Sequence, residues 1–161
     1  NAIRACSTSK AFASITEVDD EYVMYFIGEN ADRNESLGRA TSSDGITWVK
    51  DSDPVFVFDE SLGESNNFVV NEVIFDGERW ILAYKSQRVG IGFAFSDDGI
   101  TWERYEENPV FTSSDIDGLT AIGYISLLFN QDAEEASYTV FFEGATGNRT
   151  QIYAANINFD F

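Results

Sequence analysis

A chain of 161 residues, 43% hydrophobic and 15% aromatic, holds enough apolar material for one folded domain and too much for disorder. Its 28 acids against 10 bases leave a net charge of −18, a field that repels phosphate backbones and anionic membranes and excludes both as expected partners. The absence of histidine excludes Ser-His-Asp and Cys-His catalysis and histidine-ligated zinc, and the lone Cys6 excludes an intrachain disulfide.

Taken in order, residues 11–18 read as a strand, 19–21 as a tight acidic turn, and 22–27 as the returning arm of a hairpin. A polar loop over 28–35 follows. Residues 37–42 form a third strand, which ends in Ser42-Ser43-Asp44-Gly45-Ile46-Thr47-Trp48. Trp48 opens a short fourth strand running towards Pro54-Val55-Phe56. The same order then returns: 68–75, a hairpin turn at Asp76-Gly77, 80–84 and 90–95. Ser96-Asp97-Asp98-Gly99-Ile100-Thr101-Trp102 repeats the first motif 54 positions later and leads on to Asn108-Pro109-Val110-Phe111. A third pass supplies 121–129, 138–142 and 151–155, and stops before a third turn or a fourth strand.

The register of the copies supports this alignment. Tyr22, Trp80 and Tyr138 open the second strands at equal intervals of 58, and Gly28, Ser86 and Gly144 each follow six residues later. No segment sustains a helical period, so the chain reads as all-β. Units of four short strands at a period of about fifty residues are the sequence form of β-propeller blades. We therefore expect a single domain over 1–161, with repeat units over 11–58, 66–111 and 120–161, the last incomplete.

The repeated motif has a structural reading. Asp44 and Asp98 can accept hydrogen bonds from backbone N–H groups two or three residues on, Gly45 and Gly99 can take a positive φ, and Trp48 and Trp102 can wedge against a neighbouring sheet. Asp97-Asp98-Gly99 lacks the alternating ligand spacing of a calcium loop, and no metal or cofactor is expected. Two tryptophans at equivalent repeat positions also suit packing better than a single sugar-stacking platform.

The stretch Gly92 to Phe111, with its Ser-x-Asp-Gly-Ile-Thr-Trp-Glu core and its Asn-Pro-Val-Phe end, resembles blades of the five-bladed propeller glycosidases. These are the arabinanase, invertase and levansucrase relatives and their phosphorylase cousins. Gly38 to Phe56 is a looser copy, and Phe141-Phe142-Glu143-Gly144 followed by Ile152-Tyr153-Ala154-Ala155 resembles the middle of another blade. The resemblance implies that strand one of each blade lines a central channel in which paired carboxylates act. It also implies an Asp-Pro landmark just before the strand-one turn. Val70-Asn71 stands there instead, and the chain's one Asp-Pro, Asp53-Pro54, belongs to strand four.

Glu72 is the leading candidate, because it interrupts an apolar strand where the other units carry Ser14 or Ile15 and Ser126. Glu143 and Asp117 are the further catalytic candidates, with Glu17 and Asp115 behind them. Asn71, Arg88 and Arg149 are candidate substrate-binding residues, and Gln87 lies beside Arg88. Three units do not close a ring, since propellers have four to eight blades. A second copy completing the ring is the expected solution, ahead of a fragment of a longer enzyme or a non-propeller packing of sheets. Residues 1–9 could supply the missing strand of the third unit. The functional expectation is a carbohydrate-binding or catalytically degenerate glycosidase-like module. An active hydrolase with carboxylates paired on oligomerisation and a protein-binding scaffold are the alternatives.

Overall fold

A computed structural model describes residues 12–29, 34–64, 68–86, 90–130 and 137–159, and of 68–71 and 86 the backbone alone. Twelve strands form three antiparallel sheets, and no α-helix occurs among the described residues. The first sheet holds β1 (Ala13–Val18), β2 (Glu21–Glu29), β3 (Glu35–Ser42), β4 (Val49–Lys50) and β5 (Phe56–Val57). The second holds β6 (Phe68–Phe75), β7 (Trp80–Ser86), β8 (Gly90–Ser96) and β9 (Glu103–Arg104). The third holds β10 (Ala121–Asn130), β11 (Ser137–Thr146) and β12 (Arg149–Ile157). Each sheet is a blade, and the inner strands β1, β6 and β10 lie side by side across the three blades.

Local chemistry explains the hairpins. Asp19 and Asp20 both adopt left-handed backbone, φ 52° and 63°, which twists a two-residue turn in the sense its strands need. At the next hairpin the Asp76 carboxylate accepts from the N–H groups of Glu78 and Arg79, both at 2.8 Å, and Gly77 takes φ 106°. The repeated motif folds identically twice. Asp44 Oδ1 accepts from Ile46 N at 2.8 Å and Thr47 N at 2.6 Å, and Asp98 Oδ1 from Ile100 N at 2.8 Å and Thr101 N at 2.7 Å. Ser42 and Ser96 close the turns from the other side, each accepting the glycine N–H at 2.9 Å.

These N–H groups hold both carboxyls at about 2, below the usual 3.8. Since the folded-state value is the lower one, the resulting stability is present above about pH 4 and is lost as pH falls towards 2. Acid unfolding of the Asp44→Asn/Asp98→Asn variant should therefore show a flatter limb between about pH 4 and 2 than the native chain. An unchanged limb would contradict this assignment.

The outer strand differs from expectation. The first blade's single fourth strand is split into β4, on Ala40 and Thr41, and β5, on Ser36 and Leu37. Pro54 has no N–H to give a ladder, so the chain leaves β3 and rejoins it with Val55 N donating to Leu37 O at 2.8 Å. Val110 N repeats that bond to Ile91 O at 2.9 Å in the second blade.

The core is the pair of joints between blades. Val23, Tyr25 and Ile27 of β2 meet Trp80, Leu82 and Tyr84 of β7. From the opposite face of β7, Ile81 and Ala83 meet Tyr138, Val140 and Phe142 of β11. Successive strand residues thus serve alternate joints, which explains why β7 is apolar on both faces. Trp102 is wedged as expected, edge-on to Tyr25 at 5.8 Å. Trp48 belongs to neither core cluster and turns its indole N–H back to Gly45 O at 3.2 Å. The two copies differ in their neighbours: Tyr25 of blade one packs against Trp102, whereas the half-buried Trp48 turns back on its own turn.

Candidate functional site

The inner strands converge on Glu72. Its carboxylate is half-buried, with Ser126 Oγ of β10 donating to Oε2 at 3.0 Å and Ser14 Oγ of β1 lying 3.5 Å from Oε1. Ser14 is itself buried and fixed, its hydroxyl donating to Val73 O at 2.9 Å. One residue from each blade therefore meets at a single carboxylate. Ser14 and Ser126 are the positions that the repeat sets against Glu72.

Two bulges shape this centre. In β6, Val70 pairs with Tyr84 and Glu72 with Ala83, so Asn71 is an extra residue immediately before the carboxylate. In β10, Ile122 pairs with Gly144 and Ile125 with Phe142, so Gly123 and Tyr124 together stand opposite Glu143. Bulges re-aim side chains and are over-represented beside active sites. The Glu143 side chain lies over Gly123, so that a β-carbon there would push the carboxylate aside.

Beside Ser126, Tyr124, Phe141, Glu143, Gln151 and Ile152 border a cavity of about 370 Å³. Tyr124 is 76% exposed and Ile152 73%, so an apolar surface adjoins the carboxylate centre. An aromatic ring beside hydrogen-bonding carboxylates and hydroxyls is chemically suited to a polyol ring, with one apolar face and a rim of hydroxyls.

The other candidates are placed differently. Asp117 is exposed in the loop that follows the short 3₁₀ helix Ser113–Asp115. Asp115 caps that helix, accepting from Thr112 N at 2.6 Å. Arg149 is exposed at the start of β12, opposite Thr146. Glu17 is exposed on β1. Asn71 occupies the bulge, Arg88 and Gln87 lie outside the described residues, and so do residues 1–9. No group of three or more metal-ligating side chains occurs among the described residues.

This arrangement of blades occurs in known enzymes. A glycoside hydrolase superposes with a TM-score of 0.68 at 18% identity, over 91% of this chain and 52% of its own. A thermostable family-43 glycoside hydrolase gives 0.69 at 17%, over 91% and 47%. The fold is that of the propeller glycosidases. An exo-beta-1,3-galactanase from Phanerochaete chrysosporium, solved with galactose, gives 0.56 at 18%, over 88% and 34%. The chain spans about half the length of the first two of these propeller glycosidases. No family model matches the sequence, and no curated protein matches it.

Proposed function

We propose that this chain is a carbohydrate-binding module of glycosidase-propeller type, with its sugar site at Glu72. The observation that carries this reading is the meeting of Ser14, Glu72 and Ser126, one from each inner strand, beside the exposed ring of Tyr124. Glu72 accepts sugar hydroxyls, Ser126 holds the carboxylate in place, and Tyr124 stacks on a sugar face. Asp117 and Arg149, both exposed, and Asn71 and Arg88 are the further candidates for polar contact with the sugar. Binding without turnover is favoured because the Asp-Pro landmark of catalytic strand-one turns is replaced by Val70-Asn71.

Calorimetric titration with neutral oligosaccharides tests this reading. Glu72→Gln should weaken binding about tenfold or more, the loss of one charge-assisted hydrogen bond. Equal affinity in the variant, or no affinity for any sugar in the native chain, would overturn it. The second reading, a hydrolase pairing Glu72 with Glu143, is favoured by Ser126, which reaches Glu72 and borders the same cavity as Glu143. It requires aryl-glycoside turnover that disappears in Glu72→Gln. Neither binding nor turnover would point to a protein-binding scaffold.

A second copy completing the ring is part of the same proposal. The two end blades leave large apolar residues exposed outside that cavity, Ile46 and Val49 on the first and Leu128 on the third. Light scattering at micromolar concentration should give twice the 18.0 kDa chain mass. A value near 18.0 kDa would contradict the dimer.

A further inference from the structure

The acids around Tyr124 are not matched by cations. Elsewhere a partly buried carboxylate has an arginine, Arg104 on Glu64 at 2.7 Å and Arg39 on Asp51 at 3.1 Å. Glu72 instead has two hydroxyls, Ser126 Oγ at 3.0 Å and Ser14 Oγ at 3.5 Å. The Glu143 carboxylate accepts no hydrogen bond from a described residue, and neither acid forms an ion pair with one. Both side chains are half-buried.

Their placement brackets the aromatic ring. The Glu143 side chain lies over Gly123, one residue before Tyr124 on β10. Ser126, two residues after Tyr124, holds Glu72. Gly123 to Ser126 spans at most about 10 Å of strand, so one short saccharide can reach both charges. Of the described residues that border the cavity of about 370 Å³, only Glu143 is charged.

A ligand that covers this surface takes water away from two half-buried anions. A neutral sugar returns hydroxyl donors and leaves both charges uncompensated, which weakens binding. A sugar ammonium compensates one of them directly, and beside the Tyr124 ring it gains a cation–π attraction as well. A uronate or a sulfated sugar meets like charge, in a chain whose net charge is −18.

We propose that the preferred ligand of this site is a cationic amino sugar, a hexosamine with a free ammonium, its ring on Tyr124 and its charge between Glu143 and Glu72. The inference rests on the sugar-site reading above and names the class of sugar that the site selects.

Calorimetric titration of the full chain with three β-1,4-linked tetramers tests it. The tetramers of glucosamine, N-acetylglucosamine and glucose differ only in the group at C2. At about pH 6, where the two carboxylates stay ionised, the glucosamine tetramer should bind at least about tenfold more tightly than either counterpart. High salt should narrow that ratio, and Glu143→Gln should collapse it. Asp53→Asn, which removes the same charge from an exposed position on blade one, should leave the ratio intact. Equal affinity for the three tetramers would overturn the inference and leave the sugar site standing. A ratio that survives Glu143→Gln, or that falls as far in Asp53→Asn, would trace the preference to the general negative field and overturn it too. Failure of the glucosamine tetramer to bind would also overturn it, whereas the sugar site itself stands or falls on the titration with neutral oligosaccharides.

Discussion

Replacing Glu64 with alanine should lower the unfolding free energy by about 3–5 kcal/mol, the cost of breaking a buried ion pair from one side. Four hydrogen bonds to the carboxylate are lost at once, from Arg104 Nε, Arg104 Nη2, the Tyr84 hydroxyl and Asp59 N, and Arg104 Nη2 keeps only Val57 O at 2.6 Å. Arg104 cannot shed its charge, and it stays over the Phe56 ring at 4.3 Å. Its side chain keeps 23% exposure, against 3% for Glu64, which puts the loss in the lower half of that range. Burial together with the Glu64 charge raises the Tyr84 hydroxyl well above the ordinary phenol range, so that group remains a donor throughout. Urea denaturation measures the effect. Glu64→Leu combined with Arg104→Met removes both charges and should recover much of the stability. A Glu64→Ala chain with an unchanged midpoint would show that the pair contributes nothing.

Gly99→Ala should cost about 2–5 kcal/mol, whereas Gly45→Ala should cost only about 1–2. Both glycines adopt φ 69°, so the left-handed strain on a β-carbon is common to the two. What differs is the neighbour. A β-carbon on Gly45 would have Tyr22 as its nearest contact at an ordinary 3.7 Å, whereas one on Gly99 would collide with the Tyr25 hydroxyl and press on the Trp80 indole. Tyr25 also donates to Gly99 O at 2.9 Å, so the substitution strikes a direct contact between blades one and two. Parallel denaturation of the two variants separates backbone strain from the loss of blade packing. Equal losses would mean that the joint yields freely.

The same pair of turns shows what was legible from residues alone. Ser-x-Asp-Gly is self-contained, each hydrogen bond closing within three residues, and both copies fold as their chemistry dictates. The fate of the tryptophans was not local. Trp102 is wedged because Tyr25 stands across the joint, and nothing in the two near-identical motifs tells its place from that of Trp48. Glu72 was legible as the acid that breaks an apolar run. Ser14 and Ser126 were passed over as site residues because a hydroxyl in a strand is ordinary. Only the repeat alignment, which sets them against Glu72, singled them out. The bulges at Asn71 and Gly123 arise from a mismatch of residue count between paired strands, which neither strand carries by itself. The Glu64–Arg104 pair, 40 residues apart, is likewise a product of topology.

The most direct measurement is a crystal structure of the chain grown with its tightest-binding neutral oligosaccharide. The account predicts a sugar hydroxyl within hydrogen-bond distance of Glu72, a ring stacked on Tyr124, and the Ser126 to Glu72 bond of 3.0 Å retained. A sugar bound elsewhere on the blades, with the inner strands empty, would contradict it.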